Sequence, residues 1–169
     1  MIRKTLPDDF SQIEAWLLDA KNRLSHAGTD LEWRDFDDVE QAELSSTVMK
    51  HTRSHTLAVD DMVLGVVVTY PTIEFPWVWH LEVFVDPSAR TAGYGMDLLN
   101  FAIDDLFRNT FCTVLEGTIA EDNHASLAAF SKFGDVVVGR IENYFMRRDA
   151  KKAAAIRVAM TKEQWDARL

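Results

Sequence analysis

Apolar positions along the chain change their period, and the elements follow from that change. Residues 1–6 suit a short first strand. Thr5, Pro7 and Asp8 then supply helix-start chemistry ahead of Phe10, Ile13, Trp16, Leu17 and Leu24, which share one helical face. Residues 26–38 contain Gly28 and alternate acids with Leu31, Trp33 and Phe36. They read as a loop running into a second, weaker helix through Val39, Leu44 and Val48. After this the period drops to two: residues 56–59 and 62–70 are β-branched and apolar, and Asp60-Asp61 between them suits a tight hairpin.

Pro71 and Pro76 bracket a connection to a strand over 77–85, closed by Asp86-Pro87 and followed at once by two glycines. From Met96 the helical period returns, with Leu99, Ala102, Ile103, Leu106 and Phe107 on one face. Residues 113–119 form the next strand, Asp122 or Asn123 caps a helix reaching Phe133, Gly134 ends it, and 136–138 begin another strand. A last strand over 156–160 precedes a terminal helix in which Thr161 and Gln164 form a capping-box pattern. The order is β-α-α-β-β-β-α-β-α-β-β, an α/β chain with a mixed sheet of about seven strands, since hairpins pair antiparallel and helix-connected strands tend to pair in parallel.

Composition narrows the classes. A chain of 169 residues is expected to form one domain over 1–169, and 47% hydrophobic with 27% charged residues is the balance of a globular protein. The net charge of −9 argues against a nucleic-acid partner, whose phosphates call for Lys and Arg. It suits a cationic small molecule or a basic peptide, or simply solubility. The single cysteine, Cys112, lies in an apolar run and is expected to be inert. With no signal peptide or membrane span in the sequence, a cytoplasmic protein without a membrane partner is the expectation.

One junction carries chemistry. Val83-Phe84-Val85-Asp86-Pro87-Ser88-Ala89-Arg90-Thr91-Ala92-Gly93-Tyr94-Gly95-Met96 is a strand, a glycine-containing loop and a helix start. The first N–H groups of a helix lack internal partners and sit at the positive end of its dipole, so such a junction binds anions. Glycine lets backbone approach closely, and Arg90 adds a permanent charge. Two glycines alone are unspecific. The P-loop pattern G-x-x-x-x-G-K-[ST] is missing, and the dinucleotide pattern fails because position 98 is Leu.

What remains, R-x-x-G-x-G after V-D-P, closely resembles the GNAT superfamily of coenzyme A-dependent N-acyltransferases. The family segment is similar to V-x-P-x-x-R-x-x-G-x-G/A, and Val85, Pro87, Arg90, Gly93 and Gly95 match it. Ala92 departs mildly from the usual residue, at a position that acts through its backbone N–H. A second segment, Asn123 through Gly134, is similar to N-x-x-A-x-x-x-Y-x-K-x-G and follows the next strand as expected. Together the motifs extend the resemblance over almost the whole chain.

The resemblance implies the GNAT fold and a function: transfer of an acetyl group from acetyl-CoA to a primary amine of a small molecule or peptide, by direct attack and without a metal. Arg90, Thr91, Ala92, Gly93, Tyr94, Gly95 and Met96 would hold the pyrophosphate. Backbone groups of Val83, Phe84 and Val85 would pair with pantetheine, and Asn123, Ser126 and Phe130 would lie beside the cofactor. A protonated amine needs a base, and Glu82 and His80 share one face of their strand, opposite Leu81, Val83 and Val85. Each also reads as an ordinary strand residue, a solvated acid and a structural histidine.

The tyrosine that the family commonly uses to protonate the leaving thiolate is Phe130 here, so Tyr144, Ser126 and Ser131 become the substitutes. Trp33 and Trp79 head the candidates for the acceptor pocket, ahead of Trp77, Tyr70 and Phe75, although buried aromatics also serve cores. The acids Asp30, Glu32, Asp35, Asp37 and Asp38 either attract a cationic amine or form a solvated loop. Phe130 also keeps open a second reading, an acyl-CoA-binding sensor or structural module without turnover. Longer acyl donors stay open as well. Exposed strand edges near the C-terminus suit a homodimer.

Overall fold

The computed structural model describes residues 1–18, 52–90, 92–147 and 151–168. Leu24, Trp33, the acids of its loop, the second helix through Val39, Leu44 and Val48, and Thr91 lie outside the described residues. The described elements are β1 (Ile2–Lys4), a 3-10 turn (Pro7–Asp9), α1 (Phe10–Leu18), β2 (Arg53–Val59), β3 (Met62–Pro71), β4 (Val78–Val85) and a second 3-10 turn (Pro87–Ala89). Then come α2 (Tyr94–Asn109), β5 (Val114–Ala120), α3 (His124–Ser131), β6 (Val137–Met146), β7 (Lys152–Thr161) and α4 (Lys162–Asp166).

Local chemistry explains most boundaries. Asp60 and Asp61 both adopt positive φ, 49° and 63°, the conformation that a two-residue turn between twisted strands requires. Asn123 caps α3 by accepting from the Ser126 N–H. At α4, Thr161 accepts from the Gln164 N–H while the Gln164 side chain accepts from the Thr161 N–H, so two orphan donors are satisfied reciprocally. The first helix starts differently from expectation. Asp9, not Asp8, is the working acid: it accepts from the Leu6 N–H at 2.8 Å and takes a bidentate Arg3 at 2.7 and 2.9 Å. Phe10, expected on the buried face, is 54% exposed, because the 3-10 turn offsets the face on which Ile13 and Trp16 are buried.

The seven strands form one mixed sheet in the order β1-β2-β3-β4-β5-β7-β6. Among the described strands only β4 and β5 pair in parallel, across the α2 crossover. The strands joined by α3, β5 and β6, are not neighbours, since β7 folds back antiparallel to both and inserts between them. The sheet separates two layers. On one face α1 packs Ile13 and Trp16 against Val63, Val66 and Phe84, and Gln12 Nε2 donates to the Val63 carbonyl at 3.0 Å.

On the other face α2, α3 and α4 cover Trp79, Leu115, Ile119, Val158 and Met160. Leu98, Ile103 and Leu106 of α2 are wholly buried. At about 1.5–3 kcal/mol for each such side chain, their burial fixes the helix on the sheet and with it the loop at its start. Gly65 of β3 allows this contact to be close: a Cβ there would stand 2.8 Å from both Leu98 Cδ1 and the Phe84 carbonyl.

Candidate active site

The glycine loop leaves β4 through Asp86, whose carboxylate accepts from the N–H and hydroxyl of Ser88, both at 2.7 Å. With Pro87 setting φ, this turns the chain off the sheet into the 3-10 turn. Gly93 then caps α2 with φ 90° and ψ −10°, a conformation costly to any residue with a Cβ. Its carbonyl takes the Met96 and Asp97 N–H groups at 2.9 and 3.2 Å. The N–H groups of Tyr94 and Gly95 stand ahead of the helix's own ladder. A Cβ at Gly93 would meet no atom within 4 Å.

The Cβ position of Gly93, at the start of a 16-residue helix, therefore faces open space. The side chains beside it divide the work. Tyr94 and Met96 are partly buried against the core, whereas Arg90 and Ala92 are exposed. A junction of this kind suits an anion.

Next to it the sheet parts. β4 keeps its antiparallel ladder with β3 from Trp79 to Val85. Its parallel ladder with β5 runs only through Val78–Val114, Trp79–Leu115 and His80–Glu116. Both strands continue beyond that point, β5 staying paired with β7 along its other edge from Val114 to Ala120. The segment holding Val83, Phe84 and Val85 thus leads from the parting of the strands to the glycine loop at the start of α2. Gly117, just past the last rung, keeps β5 slim there, for a Cβ would come within 3.1 Å of Val158 Cγ2. The residues fit an elongated ligand with phosphate groups at one end.

The faces of β4 are segregated as the alternation predicts. Leu81, Val83 and Val85 pack toward α2, while His80 and Glu82 leave the opposite face together with Tyr70 of β3. The Tyr70 hydroxyl donates to Glu82 Oε1 at 2.8 Å. Its ring lies 5.5 Å from that of His80, tilted by 33°. Burial pushes the Tyr70 phenol well above its ordinary range, and the Glu82 carboxylate, the hydrogen bond to it and Tyr144 push it further. Tyr144, on β6, is therefore within electrostatic reach of this group. It is 52% exposed and follows Asn143, whose φ of 55° marks the shift of register between Ile141 and Phe145.

Glu116 stands in register with His80 and pairs with Arg157 of β7 at 3.1 Å. Sequence reasoning weighed Tyr70 only as a pocket aromatic and did not single out Glu116 or Arg157. The available signal was a lone charge inside each apolar run.

Other expected site residues sit elsewhere. Trp79 is 8% exposed in the core under α2, and its indole N–H donates to the Pro76 carbonyl at 3.0 Å. That is the placement of a core residue on the face opposite His80 and Glu82. Phe130 packs edge-on to Phe133, with ring centroids 6.0 Å apart. Asn123 and Ser126 meet in the α3 cap, and the Ser131 hydroxyl donates to the Ala128 carbonyl. Cys112 is buried, its thiol pushed up to about 12 by desolvation. Trp33 and Thr91 lie outside the described residues.

Among the described residues no three His, Cys, Asp or Glu side chains are grouped to hold a metal. No described helix is long and apolar enough to cross a membrane.

Known proteins give the same arrangement a context. The sequence profile of the acetyltransferase (GNAT) family matches residues 12–135. Among curated proteins, none matches the chain by sequence. Among solved structures, the spermidine N-acetyltransferase from Vibrio cholerae in complex with CoA and spermine is similar with a TM-score of 0.79 at 15% identity, over 98% of this chain and 96% of that one. An N-acetyltransferase from Staphylococcus aureus Mu50 gives 0.77 at 21% identity, over 96% and 98%. The ribosomal-protein-alanine N-acetyltransferase from Brucella melitensis gives 0.76 at 20% identity, over 95% and 99%. At such identities the likeness to these structures is one of fold.

Proposed function

The chain belongs to the acetyltransferase (GNAT) family, and from that premise we propose that it moves an acetyl group from acetyl-CoA to a primary amine of a small molecule or peptide. The observation that carries this reading is the continuity of the glycine loop at Gly93 with the parting of β4 from β5, ending beside Glu82 and His80. The donor supplies an activated acyl group on a thioester. Everything else falls to side chains and backbone of this chain.

The N–H groups at the start of α2, with Arg90, Thr91, Ala92, Gly93, Tyr94, Gly95 and Met96 around them, would hold the pyrophosphate. Val83, Phe84 and Val85 would line the pantetheine, with Asn123, Ser126 and Phe130 on the α3 side. Glu82 would accept the proton that the ammonium must lose; the amine's nitrogen lone pair then forms the new C–N bond as the C–S bond breaks, and the nitrogen gives up its second proton to solvent to leave the neutral amide. His80 lines the approach. The departing thiolate keeps the electron pair and takes a proton from Tyr144 or solvent. Its ordinary pKa near 8.5 makes it a fair leaving group even with Phe130 in place of a hydroxyl.

A cationic acceptor suits Glu82 and Glu116 on the open face and the net charge of −9. The solved relatives named for spermidine and for ribosomal-protein alanine support an amine acceptor, small or peptidic. We further propose that residues 1–169 form a single domain. The lone thiol of Cys112 suits a reducing cytoplasm.

Release of free thiol from acetyl-CoA against polyamines, aminoglycosides, amino acids and basic peptides tests the reading. Glu82→Gln is expected to lower turnover about a hundredfold and leave CoA affinity unchanged. Unchanged turnover removes Glu82 as the base. Phe130, which carries no hydroxyl, favours a second reading as a CoA-binding module without turnover. Tight CoA binding with no thiol release for any amine would select it.

A further inference from the structure

We infer that Tyr70 is a positioning residue for Glu82, holding one carboxylate oxygen so that the base is oriented before the amine arrives. The inference rests on the reading of Glu82 as the base. Its geometry comes from the ladder between β3 and β4, in which Tyr70 stands opposite His80, so Glu82 is its diagonal neighbour on the same face. Diagonal neighbours lie within reach of an aromatic and a long side chain, and here the reach is used: the Tyr70 hydroxyl donates to Glu82 Oε1 at 2.8 Å. His80 flanks the Tyr70 ring at 5.5 Å and limits its swing.

An exposed glutamate has several rotamers open to it, and an anchored one has few. Tyr70 is anchored itself, being partly buried at the end of β3.

The proton balance makes Tyr70 a donor and no more. Burial first, then the Glu82 charge, holds its phenol protonated through the working pH range, so the proton leaving the amine goes to Glu82 and none leaves Tyr70. A donor on a carboxylate favours its ionised form, the form that can accept a proton. Among the described residues, the groups bearing on this face include His80 of β4, Tyr144 of β6, and Glu116 of β5 with its ion-pair partner Arg157 of β7.

Tyr70→Phe in the full chain tests the assignment by two independent readouts. The first is a carbon-13 NMR titration of the Glu82 side-chain carboxyl in the free protein, its signal identified by loss in Glu82→Gln. Removal of the hydroxyl is expected to move the midpoint upward by about half a unit or more. An unmoved midpoint overturns the contact, whatever the enzyme does with amines. The second readout is steady-state kinetics with an amine from the thiol-release panel. Tyr70→Phe is expected to lower kcat roughly tenfold with KM for acetyl-CoA within about twofold, and to shift the acid limb of kcat/KM upward with the NMR midpoint.

The double variant Tyr70→Phe/Glu82→Gln is expected to match Glu82→Gln alone. Independent, multiplying losses overturn the positioning role. If Glu82→Gln leaves kinetics unchanged, the base reading itself falls and the catalytic role of Tyr70 with it, while the NMR midpoint still reports whether the contact exists.

Discussion

Gly93 and Gly134 share a left-handed φ and open space where a Cβ would stand, which makes them a matched pair. Gly93 has φ 90° and Gly134 has φ 94°, and a Cβ on either would meet nothing within 4 Å. In the free protein an alanine at either site therefore brings conformational strain without a clash. Left-handed backbone costs an L-residue about 1–2 kcal/mol. Losing a glycine from the unfolded chain returns roughly 0.4–1 kcal/mol. The net loss is about 1 kcal/mol, or about 2–4 °C in Tm for a domain of this size.

The two sites part company only when ligand binds. Gly93 opens onto the start of α2, where we place the pyrophosphate, whereas Gly134 follows α3 at its far end. Gly93→Ala should weaken CoA more than about tenfold, at least 1.4 kcal/mol, and Gly134→Ala should leave CoA affinity within about twofold. Differential scanning calorimetry measures the first quantity and isothermal titration with CoA the second. Equal CoA affinity in both variants would refute close approach of the ligand to this loop. A Tm loss in one variant alone would refute the strain argument.

Two further predictions concern the frame of the site. Asp9, held by Arg3 and the Leu6 N–H, has its carboxyl drawn down from 3.8 to about 2, with the Arg3 hydrogen bond the largest cause. A lowered carboxylate stabilises above its ordinary pKa, so this contribution, about 2 kcal/mol, is present above pH 3.8 and is lost as pH falls toward 2. Urea unfolding across that window should show a loss of this size that Asp9→Asn lacks; parallel curves for both proteins would contradict it. Gly65→Ala should cost roughly 1–3 kcal/mol, because its Cβ would stand 2.8 Å from the Phe84 carbonyl, a backbone atom that cannot rotate away. An unchanged urea midpoint would show that α2 rides off the sheet without cost.

Short-range chemistry was legible along the chain. The Asp60-Asp61 turn, the Asn123 cap, the Thr161–Gln164 capping box and the buried stripe of α2 each depend on residues within a turn or two of one another, and each stands where the pattern puts it. The strand–glycine–helix junction was legible for the same reason, since its parts are consecutive.

Cross-strand neighbours were not. That β7 inserts between β5 and β6, that the β4–β5 ladder stops after His80–Glu116, and that Tyr70 reaches Glu82 are consequences of register between distant segments. Alternation says which residues share a face of one strand; only pairing says what lies beside them. Trp79 shows the limit from the other side. An aromatic next to candidate catalytic residues suggested a pocket wall, yet its place in the alternation, one step from His80, turns it into the core beneath α2. The glycine loop at the start of α2 is thus a local property of the chain, while the Tyr70–Glu82 contact is a property of the folded sheet, because two strands must be aligned before a phenol can hold a carboxylate.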